Sequence, residues 1–213
     1  MKTDQLIDML STNLEPVRSE RTGRALAWAI ISGGAGAFGV MLLTVRLRPN
    51  VDGAPDIGFL VLKLLFLLSL IGSGAALLSR LIRPGQDGRR LFALVLLPFL
   101  AIGLAGVVRL AIARPAAWGS MILGTQWATC LFCIPLFAVV PFAVLIGALR
   151  KGAPTNLRSS GAVVGLVAGS LGAVAYAFYC PDDSLPFIAL WYGGMVALCT
   201  LVGAIIGPRL LRW

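Results

Sequence analysis

Read for hydrophobic and polar positions, the chain divides into a polar opening, residues 1–24, and six apolar runs at 25–45, 57–79, 91–112, 125–148, 160–180 and 187–208. Each run is near the ~20 residues that a helix needs to cross a bilayer core. Polar or turn-forming stretches separate them at 46–56, 80–90, 113–124, 149–159 and 181–186. The pattern predicts an all-α fold, an integral membrane bundle of six transmembrane helices over 25–213 behind a short N-terminal segment. An even number of spans puts both termini on one side. No internal repeat or further soluble domain is evident.

The opening segment has its own periodicity. Thr3 is placed to cap a short helix, with Asp4 in its first turn where the helix dipole favours negative charge. Leu6, Ile7, Leu10 and Leu14 recur at helical spacing, while Asp4, Asp8 and Asn13 take the other side. Pro16 should stop this helix, leaving a break at 15–18 and a charged hinge from Ser19 to Arg24. A helix this short is marginal in water, so its apolar face wants a partner. Membrane-surface helices are usually rich in Lys and Arg. This one is acidic in its helical part, which favours protein docking over lying on lipid.

Composition sharpens the picture only in part. At 58% hydrophobic and 13% charged, with a mean hydropathy of +0.91, the chain is far from a soluble average. The net charge of +9 would suit a nucleic-acid binder, but the basic residues sit in short clusters between apolar runs, so no direct nucleic-acid partner is expected. Of the 18 Lys and Arg residues, thirteen fall on the side of the N-terminus and four, Arg46, Arg48, Arg109 and Arg114, on the other. That asymmetry predicts cytoplasmic termini, in a bacterial inner membrane. The first run lies too late and is too long for a cleaved signal, so it is read as an uncleaved span. The remaining base, Lys63, lies in the second run about two turns from the outer end, where snorkelling is the expected behaviour.

Candidate chemistry is narrow. Histidine is absent, which removes the usual general base and metal ligand and argues against an enzyme. No cofactor is expected. Three of the four cysteines collect at the outer face: Cys130 and Cys133, one turn apart in the fourth run, and Cys180, read as the end of the fifth. Cys130 with Cys180 is the favoured pair, since Cys133 lies about 4.5 Å deeper by helix rise. A reactive pair sensing oxidants or thiol-binding metals, a permanent disulfide and plain buried thiols remain open. A metal site would be a soft-metal contact at Cys130 and Cys180, helped by Asp182 or Asp183. Cys199, half-way down the sixth run, reads as packing. Gly161, Gly165 and Gly169, at four-residue spacing, predict close helix packing, as do the glycines of the first and sixth runs.

Taken together the pattern resembles a bacterial family, the NrsF-like anti-sigma factors. The resemblance rests on Thr3-Asp4-x-Leu6-Ile7-x-x-Leu10 followed by Pro16-Val17-Arg18, on a cysteine behind Trp127, on Tyr179-Cys180-Pro181-Asp182, on Trp191-Tyr192 and on the closing Arg212-Trp213. It implies a six-span inner-membrane protein whose cytoplasmic N-terminus holds an extracytoplasmic-function sigma factor inactive. Leu6, Ile7, Leu10, Leu14, Pro16, Val17 and Arg18 would then bind the sigma factor, and Cys130 and Cys180 would sense the stress that releases it. Cys133 is an additional thiol, so which cysteine of the fourth run reacts stays open. The rival readings are a small membrane transporter or channel, which would want a polar pathway through the bundle, and a thiol-exchange protein.

Overall fold

The computed structural model describes residues 19–45, 54–81, 89–150, 152 and 156–212, with side chains from 23–45, 57–81, 93–150, 152 and 156–212. The predicted opening helix, with Leu6, Ile7, Leu10, Leu14, Pro16, Val17 and Arg18, lies outside the described residues. Among those described, the regular structure is entirely helical: α1 (Ser19–Thr44), α2 (Ala54–Leu81), α3 (Arg89–Ile112), the short α4 (Trp118–Leu123), α5 (Trp127–Leu149), α6 (Leu157–Ala177) and α7 (Leu185–Leu210). Six segments are long and apolar enough to cross a membrane, with α4 and α5 together forming the fourth.

The spans match the six apolar runs, and the departures have local causes. Ser19 to Arg24, expected as a hinge, are the first turns of α1. Hydropathy changes there, but no Pro follows Pro16 in this stretch, so nothing ends the helix. The 113–124 stretch, expected as a connection, holds a 3₁₀ turn at Pro115–Ala117 and then α4. Trp118 Nε1 donates to the Leu110 carbonyl at 3.0 Å and folds this piece back on α3. Gly124, at φ +59°, makes the reversal into α5. That backbone favours glycine, and a Cβ there would also stand 2.6 Å from the Asp182 carboxylate. Helix α6 starts earlier than expected, with the Asn156 side chain accepting from Ser159 N at 3.1 Å, and stops at Ala177. Cys180 therefore lies in a turn, because Pro181 disfavours helical backbone at the residue before it. A π-helical stretch, Ile188–Tyr192, interrupts α7.

Helix α6 is the hub. Its membrane-length window is 89% buried, against 11% for α3 at the periphery. Small residues explain the difference. A Cβ at Gly161 or Gly165 would overlap the carbonyl oxygens of Gly203 and Cys199 on α7, and one at Gly172 would sit 2.7 Å from the Ile134 carbonyl on α5. Backbones this close gain dispersion that bulkier side chains would forbid, and in lipid that replaces hydrophobic drive. Helix α1 rests mainly on α5, crossing where Pro141 faces Gly33.

Candidate functional site

The chemistry-bearing residues gather at one end of the bundle, where 113–126 meets the turn between α6 and α7. Local rules build each half. Gln126 caps α5, which leaves the N–H groups of its first turn without helical partners. The Asp182 carboxylate supplies acceptors there: it receives Thr125 N at 2.9 Å, Thr125 Oγ1 at 2.9 Å and Gln126 N at 2.7 Å. A negative charge at a helix N-terminus is also favoured by the dipole. Ser184 caps α7, accepting from Phe187 N, and its hydroxyl donates to the Met121 carbonyl at 2.6 Å. Trp191 Nε1 donates to the Ile122 carbonyl at 2.9 Å, and Tyr176 donates its hydroxyl to the Gln126 carbonyl at 3.3 Å. The two segments are thereby stitched together by side chains on both sides of Cys180.

Beneath this seam lie the thiols. Cys130, in the first turn of α5, and Cys180, in the turn, are both buried in one cluster that includes Tyr176, Phe187 and Tyr192. Cys133 packs against the same cluster and is half-buried. All four cysteines are free thiols. Cys199 stands apart, packed on the Gly165 and Gly169 face of α6, which accords with the expected packing role.

Lys63 departs from expectation. It does not snorkel but is 1% exposed and turned into the bundle, where Nζ lies 2.7 Å from Asp183 Oδ1 and 3.4 Å from the Cys180 carbonyl. The ammonium also stands 5.6 Å from the centre of the Tyr192 ring. The reason is that the Asp183 carboxylate reaches the same depth, and a paired ammonium needs no path to water. The Tyr192 hydroxyl is buried without a hydrogen-bond partner and lies beside the Cys180 thiol. Burial pushes the Cys180 thiol above its ordinary value, while the charge of Lys63 and the Asp182 N–H pull the other way.

Sequence reasoning singled out the thiols, two of which the fold brings into one cluster, and missed the pairing of Lys63 with Asp183 and the capping role of Asp182. The available signal was a base near the end of one span and two carboxylates in a loop at the same level. The soft-metal reading gains no third ligand: among the described residues no group of three or more Cys, Asp or Glu is set to hold a metal, and both aspartates are engaged elsewhere. Nor does a polar lane cross the bundle, since among the described residues the buried polar side chains are Lys63, Ser160 and Ser170. A transporter or channel is therefore poorly served.

Comparison with known proteins bears on the whole chain. The family described as negative regulator of sigma F, NrsF, matches residues 10–213. The chain is 31% identical over 213 residues to the probable anti-sigma-F factor NrsF of Azospira oryzae, covering 100% of both chains. It is 32% identical over 216 residues to the anti-sigma-F factor NrsF of Caulobacter vibrioides, again covering 100% of both. No solved structure matches. A family match over residues 10–213 and two relatives matched over their whole length leave one assignment: this chain belongs to the NrsF family, negative regulators of sigma F, which are regulatory proteins and not enzymes.

Proposed function

We propose that the chain is a multi-pass anti-sigma factor of the bacterial inner membrane, with cytoplasmic termini, which sequesters an extracytoplasmic-function sigma factor through residues 1–24. Leu6, Ile7, Leu10 and Leu14 provide the apolar docking face, and Pro16, Val17 and Arg18 follow it. Release comes when Cys130 and Cys180, at the outer end, react with an oxidant or a soft heavy-metal ion. The sigma-binding half rests on family membership. The sensing half rests on one observation, two free thiols in one buried cluster on either side of the seam that joins α5 to the α6–α7 turn. Closing a disulfide between them removes two electrons and two protons, which a hydroperoxide accepts as it becomes alcohol and water. The bond demands its own short Cβ separation, so it re-seats the start of α5. Helix α1 lies on α5 at Gly33 and Gly36, against Pro141 and Val140, and continues towards the docking segment. A shift of α5 is passed to α1 by that contact.

The test is target-gene induction with membrane protein level measured alongside. Leu6→Asp or Leu10→Asp should switch the genes on without stress, because a charge forced into an apolar groove loses the partner. Cys130→Ser and Cys180→Ser should leave an intact repressor that no longer responds, and the double variant should add nothing. Cys133→Ser decides whether that thiol substitutes for Cys130. A Cys180→Ser protein that still responds fully removes the sensing half, and repression surviving Leu6→Asp removes the docking half.

A further inference from the structure

We propose that Lys63 is the positioning residue of the thiol pair, holding Cys180 in place and supplying the fixed positive charge against which its thiolate forms. This rests on the sensing role given above to Cys130 and Cys180. A lysine buried inside a membrane-length helix is costly even when paired, and replacing such a pair by apolar side chains of similar volume is often neutral for stability. Something other than stability is therefore needed to account for it. Its three contacts point to one: the Cys180 carbonyl at 3.4 Å, the carboxylate of Asp183 in the same turn at 2.7 Å, and at 5.6 Å the ring of Tyr192, which shares the buried cluster of Cys180. Through Asp183 and the Cys180 carbonyl, Lys63 ties the turn to α2 by polar contacts, beside the apolar packing of Phe66 and Leu67 in the same cluster.

The electrostatics follow from the same geometry. A thiol buried among Phe187, Tyr176 and Tyr192 stays protonated and inert unless a cation faces it. The groups around Cys180 are Lys63 from α2, Cys130 and Cys133 from α5, Tyr176 from α6, Tyr192 from α7, and Asp182 and Asp183 from the turn. Among these Lys63 carries the positive charge. Asp182 opposes it through its carboxylate, and Asp183 offsets part of it. In the step this supports, the Cys180 thiolate attacks a hydroperoxide: an S–O bond forms, the O–O bond breaks, and the departing alkoxide takes up the proton that the thiol lost. The Cys130 thiol then attacks the resulting sulfenic acid, an S–S bond forms, and the S–O bond breaks with loss of water.

The experiment follows alkylation of each cysteine by mass spectrometry, and disulfide formation with an organic hydroperoxide, in the full chain in lipid vesicles between about pH 6 and 10. Lys63→Met should slow Cys180 by about tenfold or more near neutral pH and move its profile to higher pH, since each tenfold is one unit of pKa. Lys63→Arg should keep most of the wild-type rate. Because Lys63→Met removes a positive charge that faces Asp183, the pair Lys63→Met with Asp183→Leu is the variant expected to keep wild-type thermal stability, and its Cys180 should still be slow. A folded variant of either kind with the wild-type rate and profile overturns the proposal and leaves the sensing reading standing. Wild-type Cys180 that fails to react even at alkaline pH overturns both. A Lys63→Met protein slow in thiol chemistry but normal in gene induction supports the positioning role and defeats the sensing one.

Discussion

Asp182→Ala should free the turn that carries Cys180 from the start of α5. The carboxylate accepts from three donors: Gln126 N at 2.7 Å, in a half-buried setting, and Thr125 N and Oγ1 at 2.9 Å each, in an exposed one. Hydrogen bonds to a charged group are worth about 1.5–3 kcal/mol where water cannot replace them. Taking about 2 kcal/mol for Gln126 and about 0.5 for each Thr125 bond, which water does replace, the loss is about 3 kcal/mol. That is a factor of about 100 in the balance between attached and detached turn. Asp182→Asn keeps one carbonyl oxygen as acceptor and loses the charge, so about tenfold is expected. The assay is amide hydrogen exchange of the full-length protein in vesicles, followed by mass spectrometry. Peptides covering 120–130 and 178–186 should exchange faster by those factors, while peptides from the α6–α7 contact should not change. Exchange within twofold of wild type in Asp182→Ala would refute the view that this carboxylate holds the seam shut.

Three further expectations concern the bundle. Gly165→Val should cost about 3 kcal/mol, because its Cβ would overlap the Cys199 carbonyl and force α6 from α7; the thermal midpoint in detergent should fall, whereas Gly39→Ala, with open space at its Cβ, should hold or raise it. Gly33→Leu, whose Cβ would stand 3.0 Å from Pro141 Cα, should lift α1 from α5 and raise target-gene expression without stress, at a normal protein level. Reporter fusions after Pro154 and Trp213 should read cytoplasm, and one after Asp183 should read the outside; a Pro154 fusion reading outside would break the six-span topology.

The six membrane-length apolar helices and the small-residue spacing were legible in the sequence because helix length and glycine periodicity are local properties. A helix needs enough consecutive apolar residues to cross a bilayer, and 25–45 or 187–208 display that without reference to any neighbour. Cys130 and Cys133 were legible for the same reason, as residue types one turn apart in their own helix, whereas Cys180, read as the end of a span, lies in a turn. Ser19 to Arg24 shows where this reading misleads: a change of hydropathy marks a membrane boundary, and only a backbone constraint such as Pro181 or Gly124 marks a conformational one. What the tertiary structure alone decided is who meets whom. Lys63 and Asp183 are 120 residues apart, so their pairing depends on α2 lying beside the α6–α7 turn. The glycines of α6 announced close packing, but only the fold assigned Gly161 and Gly165 to α7 and Gly172 to α5. Asp182 could have been a solvated loop charge; it became the cap of α5 because the turn delivers it to a helix start whose N–H groups need an acceptor. A charge takes its role from the partner the fold places within a few ångströms, and such long-range placement leaves no periodicity in the chain to be read.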